Sequence, residues 1–214
     1  MEFSSTLDLK VNEGVQRLAA AVQARGLAEL RDVVPSLGGL ALHFAPHFDG
    51  DTLLYAAELV ELCLASLPPA ESVGRDIEVP VCYDEDLASD LAEVAAKAKL
   101  STQEVAELHA SCAFKVLMIG FAPGHAYMGG LDPKLSLPRR ATPRTVVPAG
   151  SVAIANLQTV VYPYAISGGW NVIGRTPLTV FDAARAEPSL FAAGDRVRFK
   201  PISRAAFEQL AARA

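Results

Sequence analysis

The chain has 214 residues, of which 51% are hydrophobic and 20% charged, and its formal net charge is −5. That size and composition suit one large domain or two small ones with a proper core, and the acidic balance argues against nucleic acid as a partner, because neutralising phosphates takes a basic face. No apolar run reaches the roughly 18 residues that span a bilayer, so no membrane partner is expected.

Val11, Val15, Leu18, Ala19 and Val22 recur at helical spacing and predict a helix over 10–25, closed by Gly26. Val33 and Val34 predict a short strand, and Leu40, Leu42 and Phe44 alternate as a second. Asp51 or Thr52 caps an apolar helix through Leu67, which Pro68-Pro69 stops. Ile77, Val79 and Val81 alternate as a further strand. Strands and helices in this order predict a small ferredoxin-like α/β domain over 1–76, with the chain dividing near 68–76.

The remainder, 77–214, opens with helices and turns to strands, so the fold class is α+β. Leu87, Leu91, Val94 and Ala98 share a helix face, and Ser101-Thr102-Gln103-Glu104 is a capping box that opens a helix to about Ser111. Short β-rich segments follow at 114–119, 151–156, 158–163, 170–176 and 195–201, separated by turn residues, which favours a barrel or sandwich. An Ala-rich helix over 204–214 closes the chain. Cys63, Cys82 and Cys112 are odd in number and set among apolar residues, which reads as free thiols in a reducing, cytoplasmic compartment. Met1-Glu2-Phe3-Ser4 lacks the basic and apolar regions of a signal peptide.

Chemistry concentrates between Gly120 and Asp182, where glycine and proline fix loop shapes that carry His125, Tyr127, Arg139, Arg140, Arg144 and Arg175. The Gly120–Gly130 segment has no G-K-[ST] ending and no strand–loop–helix setting, so it does not read as a phosphate-binding P-loop, although its glycines can present backbone N–H groups to an anion as a nest. Its histidine, His125, is the candidate for proton transfer or a hydrogen-bonded loop residue. The arginine forks suit a carboxylate or phosphate, or pair with local acids. Gln158, Tyr162 and Trp170 line a pocket or pack the barrel. His43 and His47 sit four apart at a strand end without a third ligand, so no metal site is expected. Neither Ser151 nor Ser167 lies in a G-x-S-x-G elbow.

The runs G-F-A-P-G-H-A-Y-M-G-G-L-D, P-R-R-A-T-P-R-T-V-V-P-A-G-S-V, Q-T-V-V-Y-P and S-G-G-W-N-V-I-G-R-T-P-L-T-V-F-D occur in this order. Together with I-E-V-P-V-C-Y and L-S-T-Q-E-V-A-E-L-H-A-S, they cover essentially the whole chain and resemble the allophanate hydrolase subunit 1, or KipI-like, family. That family includes the B subunit of bacterial ATP-dependent 5-oxoprolinase. The resemblance implies a small α/β domain followed by a cyclophilin-like β-barrel. It also implies partnership with a subunit 2 or KipA-like protein and a LamB/YcsF-like subunit. The implied reaction opens 5-oxoproline to glutamate with ATP and Mg, which are bound with the partners. Within that reaction, Arg139, Arg140, Arg144 and Arg175 are the expected anion contacts for a small carboxylate or amide substrate. Gln158 and Tyr162 are expected beside them, with His125 catalytic. Relatives also imply two other roles, inhibition of a sensor histidine kinase and a urea carboxylase-like carboxyltransferase subunit. A prolyl isomerase is a third, from the barrel alone. The chain departs from the family pattern at His125, where phenylalanine is usual, and loses a glycine in Q-T-V-V-Y-P and a proline before Gly168-Gly169-Trp170.

Overall fold

The computed structural model describes residues 1–4, 6–69 and 74–213. The chain forms two compact units, Met1–Arg75 and Asp76–Ala214. Residues 70–73 of the expected division lie outside the described residues.

In the first unit, helix α1 spans Leu9–Gln23 and α2 spans Thr52–Leu64. Aspartates begin both: Asp8 accepts from the Lys10 and Val11 amides, and Asp51 from those of Leu53 and Leu54, which satisfies donors that a helix start leaves open. Between the helices, β1 (Leu30–Pro35) and β2 (Leu40–Phe44) form an antiparallel pair. The periodic residues Val15, Leu18, Ala19 and Val22 bury against Val33, Leu40, Leu59, Val60 and Cys63. Buried Asn12 ties α1 to the β1–β2 turn by donating to the carbonyls of Ser36 and Leu37.

The second unit is a seven-stranded, barrel-like sheet with helices packed on it. Its strands are β3 (Asp76–Val81), β4 (Phe114–Ile119), β5 (Ala126–Gly129), β7 (Ser151–Ala155), β8 (Gln158–Val161), β10 (Asn171–Arg175) and β11 (Arg196–Pro201). They lie in the order β10-β7-β8-β5-β4-β11-β3, antiparallel except for the parallel β11–β3 pair. The two edges meet at a bridge, where the Cys82 and Arg175 amides each donate to the other's carbonyl at 2.9 Å. Gly174 makes this seam possible: a Cβ there would stand 2.8 Å from Val81 Cγ1 and 3.0 Å from the Cys82 carbonyl oxygen. Strand β6 (Arg144–Val147) pairs with β9 (Ile166–Gly168) in a separate two-stranded ribbon.

Helices α3 (Leu91–Ala98), α4 (Thr102–Ser111) and α5 (Arg204–Ala211) complete the unit. The capping box at α4 is present, with Ser101 and Glu104 each holding the other's amide. Residue 214 of the expected terminal helix lies outside the described residues. Leu91, Val94, Ala95 and Val105 from the helices join Val79, Val81, Val116, Val152, Ile154 and Ile173 in the main core.

Two differences from the sequence reading have physical causes. The strand at 76–81, read as leading out of the first domain and counted in its strand and helix order, belongs to the second unit and pairs with β11, about 120 positions away, so no local signal betrays its partner. The glycine-rich stretch read as loop contains β5, whose Ala126 and Met128 are fully buried because β4 and β8 flank it on both sides. The three cysteines are free, Cys63 and Cys82 buried and Cys112 half-buried. No helix among the described residues is long and apolar enough to cross a membrane.

His109, on α4, is fully buried and stacks on Phe199. Its Nδ1 meets the Tyr83 hydroxyl at 2.8 Å and its Nε2 meets Thr159 Oγ1 at 3.1 Å, and Thr159 in turn donates to the Ala153 carbonyl. Burial pulls the imidazole down to about 3 from an ordinary 6.5, so between these values the unfolded chain binds a proton that the folded chain refuses. Stability is therefore complete above pH 6.5 and is lost as pH falls. At pH 5 the unfolding free energy should be about 2 kcal/mol below its value at pH 8 from this residue alone. Urea titrations followed by the fluorescence of Trp170, the single tryptophan, check this; a flat profile would mean that the ring is protonated in the fold.

Candidate functional site

The site grows from strands whose two faces are both covered. Along β7 and β8, Val152, Ile154 and Val161 enter the main core, while Ala153, Ala155 and Val160 face a second cluster with Val147, Tyr162, Trp170 and Val172. Period-two alternation does the same on β5: Ala126 and Met128 enter the core, so Tyr127 and the preceding His125 face the other way, toward Tyr162 and Trp170. The β6–β9 ribbon supplies Gly168 beside this second face, and a Cβ there would collide with the Tyr162 hydroxyl.

The result is a pocket of about 250 Å³ lined by Phe121, His125, Tyr127, Arg139, Arg140, Pro143, Tyr162 and residues 167–170. The His125 ring centroid lies 4.9 Å from that of Tyr127, 5.4 Å from Tyr162 and 5.5 Å from Phe121. Phe121 is exposed and holds a left-handed φ of 70°, a conformation a non-glycine residue adopts only under local constraint. The constraint is visible: the Gly120 amide donates to the His125 carbonyl and the His125 amide to the Ala122 carbonyl. Those two loop amides are therefore turned inward and are not offered to an anion.

Electrostatically the pocket is neutral inside and cationic at its rim. Burial drives the His125 imidazole down to about 4, against an opposing contact with its own backbone and with Arg139 adding to the fall, so the ring is neutral at pH 7. Its Nδ1 is buried without a hydrogen-bond partner. Burial likewise raises Tyr127 and Tyr162, keeping both phenols protonated. The Arg139 guanidinium lies 5.3 Å from the Trp170 ring centroid, a cation–π contact, and among the described residues it has no carboxylate partner. No carboxylate among the described residues lines the pocket.

The other expected anion contacts are engaged elsewhere. Asp90, at the start of α3 and 2% exposed, receives Arg144 through both Nη atoms (2.8 and 2.6 Å) and Arg140 Nη1 at 2.8 Å. Arg140 also reaches Glu93 at 2.9 Å, and the Val172 amide donates to Asp90 Oδ2 at 2.7 Å. Arg140 thus touches the pocket with its charge already shared, and Arg144 is not among the lining residues. Arg175 stands at the barrel seam, with Nε donating to the Ala149 carbonyl at 2.8 Å. Gln158 is buried in β8 and is not among the residues that line the pocket, and its Nε2 has no partner. Sequence reasoning missed Asp90, whose place before an apolar helix reads as an ordinary N-cap although its side chain makes no cap bond.

A larger hollow of about 610 Å³ in the first unit is lined mainly by small side chains, and its one charged group among the described residues, Arg25, donates to Cys63 Sγ at 3.3 Å. It gathers no comparable chemistry.

The sequence model of the carboxyltransferase domain, subdomain C and D, matches residues 1–191. The chain belongs to this family. It is similar to the B subunit of 5-oxoprolinase from Bacillus subtilis, at 35% identity covering 95% of this chain and 88% of that one. The protein of the same name from Haemophilus influenzae is 39% identical, covering 86% and 85%, and that of Escherichia coli O157:H7 is 52% identical over a shorter stretch, 61% and 60%. Among solved structures it is similar to TTHA0988, with a TM-score of 0.81 and 35% identity over 95% of this chain. The chain spans only 39% of that polypeptide. It is also similar to the Pyrococcus horikoshii protein PH0987, with a TM-score of 0.61 and 34% identity, covering 97% and 94%. The urea amidolyase of K. lactis shares the fold, with a TM-score of 0.72, 18% identity and coverage of 96% and 14%.

Removing the Asp90 charge should destabilise the second unit. Breaking a buried ion pair from one side leaves the other charges uncompensated, so Asp90→Asn is expected to cost about 3 kcal/mol in urea unfolding. A change under about 0.5 kcal/mol, the size of an ordinary surface substitution, would show that the two arginines find solvent instead.

Proposed function

We propose that this chain is the B-type component of a cytoplasmic, heteromeric 5-oxoprolinase, which opens the ring amide of 5-oxoproline with water to give glutamate while ATP is hydrolysed. The observation that carries this reading is the match at 35% identity, across 95% of the chain, to a protein named as the B subunit of 5-oxoprolinase. The pocket fits the part. It is smaller than the about 300–1,000 Å³ that holds a drug-sized ligand, its walls are aromatic, and among the described residues its rim carries one unpaired guanidinium.

In this reading Arg139 takes the substrate carboxylate, and Phe121, Tyr127, Tyr162 and Trp170 hold the ring and exclude water. Arg140 and Arg144 position the wall through Asp90. Among the described residues, the loop amides of Gly120 and His125 bond within the loop and Arg140 and Arg144 are paired, which argues against a triphosphate at this pocket. ATP and its Mg are assigned to the partners, a KipA-like subunit and a LamB/YcsF-like subunit, and the chain alone is inactive. The family's carboxyltransferase description supports a second reading, a subunit that acts in carboxyl transfer to a urea-type substrate.

The test is glutamate release from 5-oxoproline and ATP by the assembled subunits, with each omitted in turn. Omission of this chain should abolish release. Arg139→Gln should raise the KM for 5-oxoproline about tenfold to a hundredfold, as expected for loss of one charge-assisted hydrogen bond. An assembled complex that releases no glutamate, yet carboxylates a urea-type substrate, would replace the first reading with the second.

A further inference from the structure

We propose that the outer face of α2 is a docking surface for another protein, and that its occupant is an apolar groove edged by lysine or arginine. The only charged residues of α2 are Glu58 and Glu61, and apolar side chains lie on every side of it. A helix of that kind ordinarily lies inside a core, yet α2 buries one side only. Ala56, Leu59, Val60 and Cys63 are buried, while Leu53, Leu54, Leu62 and Leu64 are 51–83% exposed. Single exposed leucines are ordinary on a protein surface, but four on one helix of 13 residues are concentrated rather than scattered. At 3.6 residues per turn, Leu53, the exposed Ala57 and Leu64 fall on one line about 16 Å long, with Leu54 beside it. Such a stripe is what a helix presents when it seats in a groove.

Charge identifies the occupant. Glu58 and Glu61 are exposed on the flank of the stripe, and among the described residues neither has a cationic partner. Asp49 and Asp51 add negative charge just before the helix, and from 32 to 74 the sequence has no lysine or arginine, although the chain holds 19. Two arginines of the first unit come near α2 without balancing this face. Arg25 reaches Cys63 on the buried side, and Arg17 donates to the Pro68 carbonyl beyond the helix end. Leucines beside uncompensated carboxylates are complementary to a surface that brings its own cations. The same charges argue against other occupants. A second copy pairing through this face would set Glu58 and Glu61 against their own images. Helices that lie on membranes carry lysine and arginine toward anionic lipid, and α2 carries the opposite sign.

Calorimetric titration of the full chain with the KipA-like and LamB/YcsF-like subunits tests the inference, a choice of binding partners that rests on the function proposed above. Leu53→Gln combined with Leu64→Gln should weaken binding to one of the two at least about tenfold, the loss expected when interface anchors are removed. Glu58→Lys combined with Glu61→Lys should weaken it about tenfold at about 50 mM salt and much less at about 500 mM, because salt screens exposed charges. Leu210→Gln, at an exposed leucine of α5, should leave both affinities unchanged. Every substituted side chain is exposed, so the fold should survive, and matching urea curves for all variants verify it.

Self-association of the chain, or attachment to vesicles of anionic phospholipid, that the leucine substitutions abolish would overturn the inference in favour of a different occupant. A complex that assembles and releases glutamate regardless of the α2 substitutions sinks the inference and leaves the proposed function standing. Partner binding that these substitutions weaken, in a complex that releases no glutamate, does the reverse.

Discussion

One buried carboxylate organises the second unit. Asp90 joins the start of α3 to the edge of β10 through the Val172 amide, and it pins the 138–147 segment through Arg140 and Arg144. Four donors on two oxygens leave little of that charge unsatisfied, which is the condition under which a buried ion can be tolerated at all. The pocket's outer wall hangs from the same point, since the Arg140 amide also donates to the Gly169 carbonyl at 2.7 Å, next to Trp170. Arginines that look in the sequence like ligand contacts are thus committed to architecture. Arg139 is left as the one rim guanidinium, among the described residues, whose charge the fold has not claimed.

Beneath that wall, the pocket depends on strands that bury both faces. An antiparallel strand commonly alternates apolar and polar residues because one face meets water. Here every residue of β7 and β8 is buried, the ribbon of β6 and β9 covering what solvent would otherwise wet. The small side chains Ala153 and Ala155 sit on the covered face beside the large Tyr162 and Trp170. Packing of small residues against large ones sets the room available on that face, and the aromatic rings bound what remains.

Much of this was legible from local residue patterns, and the rest was not for identifiable reasons. The Ser101–Glu104 cap announced α4 because its partners are three residues apart. Strands β4, β7, β8, β10 and β11 announced themselves by short β-branched runs between turns. Strand β5 did not, because glycines at both ends disguise a four-residue element that only its neighbours bury. The pairing of β3 with β11 has no local signature. At the site, the glycine-rich loops pointed to His125, Arg139, Arg140 and Tyr162, which the structure brings to one pocket. Arg144, Arg175 and Gln158 were chosen for their side-chain chemistry, and no sequence pattern reveals whether a guanidinium already has an acid or a carbonyl to hold.

The position of β11 sets the order in which this barrel is completed. It lies between β3 and β4, so the last of the sheet's strands to be synthesised is inserted between two of the earliest. Until residues 196–201 arrive, β3 has no neighbour and β4 keeps one open edge, the kind of surface that recruits stray strands from other chains. Assembly is therefore governed by a long-range, late event, which slows folding and gives a growing or damaged chain a period of stickiness that its finished form conceals.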